Sequence, residues 1–173
     1  MDFEEKLKKW AICLVLWFIV MFCFGWFFGV PVWAETVPVE NGNVISGWFF
    51  EKRVDRIGNL YQHKALDFPA NKYTPIRSVK GGRVVNADYH RDLGNYVDIF
   101  DGHGVWRYAH LQNYFVSIDR YIAEGEVFAS VGSTGLRSQG PHVHLEYRVN
   151  GKRVFFTDKF GVKFKIIQSR LQK

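Results

Sequence analysis

Residues 10–34, WAICLVLWFIVMFCFGWFFGVPVWA, contain no Asp, Glu, Lys or Arg. Twenty-five uncharged, mostly apolar residues suffice to cross the hydrocarbon of a bilayer as one helix. Four of the six tryptophans lie in this run, with Trp10 and Trp33 at its ends, where interfacial aromatics belong. A chain of 173 residues is too short to wrap such a helix inside a soluble core. The sequence therefore divides into a cytoplasmic N-terminus (1–9), a transmembrane anchor or signal segment (10–34) and an exported remainder. Lys6, Lys8 and Lys9 favour an N-terminus in the cytoplasm. "VWA" at 32–34, after Pro31, resembles a signal-peptidase site, but the apolar stretch before Pro31 is about 20 residues, longer than that of a signal peptide. The expectation is an uncleaved anchor, with cleavage after Ala34 as the alternative. Both place residues 35–173 outside the cytoplasm, on an inner-membrane-anchored domain facing the periplasm or cell wall or on a secreted one.

The exported part carries the whole formal charge of +6, because three lysines and three acids cancel in the first 34 residues. A basic exported domain suits a polyanionic envelope polymer or a membrane surface as partner; nucleic acid is not expected. Both cysteines, Cys13 and Cys23, lie in the apolar run, so the exported part has neither disulfides nor thiol chemistry.

Residues 35–43, ETVPVENGN, resemble a linker. Beyond them the chain alternates short apolar runs with glycine turns, which indicates β-strands. VISGWFF (44–50), GRVVNAD (82–88), GNYVDIF (94–100), GVWRYAHL (104–111), the strand within 124–135 and PHVHLEYRV (141–149) are the principal ones. DGHG (101–104) joins two of them as a hairpin, and NG (150–151) turns the last strand back into KRVFF. No stretch after residue 43 has the pattern of a long amphipathic helix. The expected fold is mainly β: one domain over 44–156 with a single antiparallel sheet or sandwich-like arrangement, followed by a tail (157–173) of unclear role.

The chain has six histidines. His103 sits in the DGHG turn and His90 among charges, as solvated residues would. His142 and His144 lie two apart on a strand and so share a face, with Cα atoms roughly 6.6 Å apart. Both could face one metal ion, or one the metal and the other its substrate. His63 and Asp67, in HKALD, offer nitrogen and oxygen donors of the kind zinc accepts. His110 closes an apolar strand, where a bare imidazole needs a polar partner.

In this order the blocks resemble the lysostaphin/LytM-type zinc endopeptidases, which cut the peptide part of peptidoglycan. SGWFFEKR, HKALDF (Ala65 in place of the family's glycine), TPIRSVKGGRVV, GNYVDI, RYAHL, GSTG and GPHVHLEYRVNG carry the resemblance, from about Val44 to Gly151. It implies that His63, Asp67 and His144 ligate one Zn2+ and that His110 and His142 are catalytic. His142 is then the expected base, and His110 its partner or an oxyanion stabiliser. Tyr61 is a further candidate to support the transition state. The implied activity is zinc-dependent hydrolysis of peptide cross-links or stem peptides of the wall; D-Ala-to-diaminopimelate cross-links and glycine bridges are both cut within the family. A non-catalytic wall-binding or hydrolase-activating module on the same fold is the alternative, disfavoured because all five residues are present. Envelope-spanning machinery is a possible setting for such an enzyme. The chain lacks the His-Glu-x-x-His of many zinc peptidases, and a histidine can take the role of base.

Overall fold

The computed structural model describes residues 36–40, 44–156 and the backbone of 165–166. Its strands are β1 (Val44–Ile45), β2 (Lys52–Val54), β3 (Leu60–Gln62), β4 (Leu66–Pro69), β5 (Pro75–Arg77) and β6 (Gly82–His90). They continue as β7 (Gly94–Phe100), β8 (Val105–Tyr114), β9 (Tyr121–Ile122), β10 (Val127–Val131), β11 (His142–Val149), β12 (Lys152–Val154) and β13 (Lys165–Ile166). A nine-stranded sheet runs β12-β11-β8-β7-β6-β9, with β4 joining β11 and with β10 joining β8 and β5. Every pairing in it is antiparallel. β2 and β3 form a separate hairpin, and β1 pairs in parallel with β13. The chain is thus mainly β and antiparallel, as its glycine-punctuated pattern implies. No helix among the described residues is long and apolar enough to cross a membrane, and residues 10–34 lie outside the described residues.

Local chemistry sets the turns. Asp101 Oδ1 accepts the backbone N–H groups of His103 and Gly104, both at 2.8 Å, and closes the β7–β8 hairpin. Asn150 and Gly151 both have positive φ, the conformation a two-residue hairpin of this type needs. One face of the central strands builds the core: Trp106, Tyr108, Leu145 and Tyr147 are almost fully buried, with Phe68, Phe128 and Phe156. The opposite face of the same strands is polar. Register places Asp98 opposite Arg107, Arg107 opposite Glu146, and both Ala109 and Asp67 opposite His144.

Three details differ from the sequence reading. The stretch expected as one strand over 44–50 is regular only at Val44–Ile45, and Phe50 turns the chain with φ 69°. The strand expected to close at Leu111 runs on to Tyr114. Part of the expected linker is attached to the fold: the Pro38 carbonyl accepts the Arg77 N–H at 2.8 Å, and Val39 is buried in the core.

Candidate metal centre

The polar sheet face gathers all five residues singled out in the sequence. Asp67 on β4 and His144 on β11 are direct cross-strand partners, so their side chains leave the sheet on the same side. His63, just after β3, meets them. His63 Nε2 lies 3.1 Å from Asp67 Oδ1 and 3.1 Å from His144 Nδ1, and His144 Nδ1 lies 3.0 Å from Asp67 Oδ1. All three residues are buried. His142 Nε2 stands 3.6 Å from Asp67 Oδ1, and the His110 ring centroid is 4.8 Å from that of His142. His90 and His103 are exposed and distant in role, as expected.

His110 reaches this face by an irregularity. Alternation along β8 would send it into the core beside Tyr108. Between the pairs Val97–Tyr108 and Asn95–Leu111, β8 has one more residue than β7, which is a β-bulge. His110 takes φ 62° there, so Leu111 recovers the core phase and the imidazole turns to the site. Its backbone N–H is bonded to the Leu93 carbonyl at 2.8 Å.

Hydrogen bonds decide which ring nitrogen faces inward. His63 donates Nδ1–H to the Trp48 carbonyl, His142 to that of Gly140 and His110 to that of Thr134, each at 2.8 Å. Each therefore turns an unprotonated Nε2 toward the site when neutral. His144 is reversed: Nε2 donates to Glu146 Oε1 at 3.2 Å and Nδ1 faces Asp67. Glu146 is buried and also accepts from Arg148 Nε at 2.8 Å, with Arg153 Nε 2.7 Å away. Arg53 Nη1 holds the other oxygen of Asp67 at 2.5 Å. Gly47 permits that approach, since a Cβ there would overlap both the Arg53 guanidinium and the Asp67 carboxylate.

Sequence reading did not single out Glu146, Arg53 or the three carbonyls. The signal for Glu146 was present, because it continues the period of two from His142 and His144. Nothing local points from Arg53 to Asp67, or from the backbone of Trp48, Gly140 and Thr134 to the rings. Tyr61 lines the same pocket, and its hydroxyl donates to the Arg137 carbonyl at 3.5 Å. Ala65, in the family's glycine place, is fully buried and has no positive φ, so its methyl group is tolerated.

The electrostatics follow from this wiring. Burial lowers the His110 pKa well below the usual imidazole range, and the neighbouring His142 and His144 add to that. Burial lowers His142 too, against the pull of Asp67. For His144 burial opposes charge, but hydrogen bonds to Asp67 and Glu146 outweigh it and hold the pKa up at about 9. Burial likewise opposes the charge of Asp67, yet His63, His142 and His144 keep its pKa well below the ordinary carboxylate value.

These donors fit a cation. Two imidazole lone pairs and a carboxylate oxygen, buried and aimed at one another across about 3 Å, repel unless a positive centre lies among them. A tetrahedral shell of 2.0–2.1 Å bonds places its ligand atoms roughly 3.3 Å apart, close to what is observed. His110, His142 and His144 form a second group of neighbouring donors, but it lacks a carboxylate. The set that includes one, with contacts of 3.0–3.1 Å, is His63, Asp67 and His144.

Such a donor set on the polar face of an antiparallel sheet, with two further imidazoles beside it, has the make-up of a zinc site with an open position. A family model described as Peptidase family M23 matches residues 61–156, more than half the chain, and the chain belongs to that family. A peptidoglycan DD-endopeptidase (ShyC) of Vibrio cholerae is 33% identical over 109 residues, which cover 62% of this chain and 25% of that protein. The chain thus spans about a quarter of the length of that curated relative. The crystal structure of a zinc-containing peptidase from Vibrio cholerae superposes with TM-score 0.60 at 30% identity, over 68% of this chain and 37% of that one. The catalytic domain of lysostaphin from Staphylococcus simulans gives TM-score 0.55 at 28% identity, over 58% of this chain and 80% of that one.

Proposed function

We propose that the chain is a zinc-dependent endopeptidase that hydrolyses peptide cross-links or stem peptides of bacterial peptidoglycan, with His63, Asp67 and His144 holding one zinc ion. The observation that carries this reading is the convergence of His63 Nε2, Asp67 Oδ1 and His144 Nδ1 within 3.1 Å on a buried site. Family membership and the wall endopeptidases among its relatives support it. Zinc so bound supplies a Lewis acid for the scissile carbonyl and lowers the pKa of a water from about 15.7 to about 7.

The chain's own residues do the rest. His142 accepts a proton at Nε2, which its bond to the Gly140 carbonyl leaves unprotonated and facing the site. His110, kept neutral by burial, stands beside it to orient substrate or to relay the proton. Glu146 fixes the tautomer and tilt of His144 from outside the ligand set. Arg53 bears on the far oxygen of Asp67, which leaves the near one for the metal. Tyr61 borders the pocket and supports the transition state in this reading. Residues 10–34 anchor the domain in a membrane with its catalytic part facing the wall, supported by their uncharged length and flanking lysines.

Digestion of purified wall material by the zinc-loaded protein, with released peptides identified by mass spectrometry, tests the proposal. New peptide termini are expected, disappearing with a chelator and returning with zinc. Unchanged wall material would favour the non-catalytic alternative.

A further inference from the structure

The mouth of the site carries more positive charge than its own carboxylates absorb. Glu146 is engaged by His144, Arg148 and Arg153, and Asp67 by the imidazoles and by Arg53, which is paired with Glu51 as well. Lys64 lines the pocket and is exposed. Asp92 stands near two guanidinium groups, Arg91 at 3.2 Å and Arg137 at 3.1 Å, so one carboxylate serves two cations. Asp55 also lies within electrostatic reach of Arg137, but its oxygens are occupied by Ile57 and by the backbone and side-chain amides of Asn59.

Arg137 is held in place while its donors are not used up. Its backbone N–H bonds the Asp92 carbonyl at 3.0 Å, and its guanidinium lies 4.5 Å from the Tyr61 ring centroid. Its Nε is buried with no hydrogen-bond acceptor among the described residues. About a third of the side chain, 34%, stays exposed where the pocket opens beside His63, His110 and His142. A stacked, oriented guanidinium whose outer edge is exposed, and whose Asp92 partner is shared with Arg91, is placed to meet a further carboxylate.

We propose that Arg137 is a specificity residue that binds a substrate carboxylate close to the scissile bond, so that the site selects acidic wall peptides over uncharged glycine bridges. This rests on the endopeptidase reading above. An acidic peptide offers the exposed edge of Arg137 a carboxylate besides the shared Asp92 and offsets the positive charge at the mouth. A glycine bridge does neither.

The test uses the zinc-loaded full chain and three synthetic wall peptides. One carries a free carboxylate beside the scissile bond, the second is the same peptide with that carboxylate amidated, and the third is an oligoglycine bridge. Wild type should cleave the first best, and added salt should raise KM for that substrate alone. Arg137→Gln should raise KM for the acidic peptide about 10- to 100-fold. It should leave zinc content unchanged and affect the amide much less than the acid, and Arg137→Lys should recover part of the loss. The inference is overturned if wild type treats acid and amide alike, if salt affects both equally, or if Arg137→Gln slows both by the same factor; in each case the endopeptidase reading stands. Failure of zinc-loaded wild type to cut any of the three overturns that reading, and this inference with it.

Discussion

Each of the four histidines at the centre has one ring nitrogen tied to a carbonyl or carboxylate, so the other is committed to the site before any metal arrives. In the proposed mechanism two imidazoles two residues apart thereby take different work. His142→Ala should keep its zinc and its fold but lose wall hydrolysis by about 10²–10⁴, the usual contribution of a general base. His144→Ala should lose zinc as well, measured by metal analysis of the purified protein. A zinc-free His142→Ala protein would make both rings ligands. Glu146→Gln should weaken zinc binding about 10- to 100-fold, read by competition with a chromogenic chelator. The raised pKa of His144, about 9 without metal, has a definite sign. Zinc must displace that proton, so affinity should rise with pH up to about 9. In the metal-free protein the same proton stabilises the fold. That contribution is complete below the ordinary imidazole value of about 6.5 and is lost as pH rises through about 9. Thermal melts of the chelated protein should fall over this range, and a flat profile would show that His144 carries no such proton.

At the scale of elements, the bulge in β8 and the loop between β10 and β11 act together. The bulge turns His110 out of the core phase, and Thr134 in the loop holds its ring. The loop stays close because Gly94 and Gly135, at φ 68° and 81°, let the backbones approach where any Cβ would overlap the other segment. Gly94→Ala combines a left-handed φ, worth about 1–2 kcal/mol, with overlap against Thr134. It should lower stability by at least that amount in denaturant melts. Activity should fall further than the stability loss explains, because the Thr134 carbonyl moves from His110. Full activity in a folded Gly94→Ala protein would show that the loop does not position His110.

For the whole molecule, the sheet separates two tasks. One face is closed by large apolar side chains from Trp106 to Phe156, and the other is open for chemistry. The proposed wall hydrolysis would require that open face to lie outside the membrane. A reporter that functions only in the cytoplasm, fused after Lys173, should therefore be silent, and one that functions only outside should be active. An isolated protein whose N-terminus is Glu35 would show a cleaved signal in place of an anchor while leaving export intact.

By itself the sequence determined what depends on neighbours along the chain. Alternation and glycine turns specify strands, so GNYVDIF is β7 residue for residue and PHVHLEYRV is β11 to within one. The period of two places His142, His144 and Glu146 on one face, and an uncharged run of membrane length is visible without coordinates. The five candidate residues were legible as well, through a resemblance carried by several blocks in order, and the structure brings them together on one face. What only the tertiary structure decided depends on groups far apart in sequence. The pairing of β4 with β11 brings Asp67 within 3.0 Å of His144, 77 residues away. The bulge that turns His110 arises from register between β7 and β8, which no single strand encodes. The carbonyls of Trp48, Gly140 and Thr134 fix the tautomers, yet a backbone oxygen has no signature in the sequence because every residue carries one. Periodicity is a property of one segment, whereas a metal centre depends on distances between segments, and those are settled only when the sheet closes.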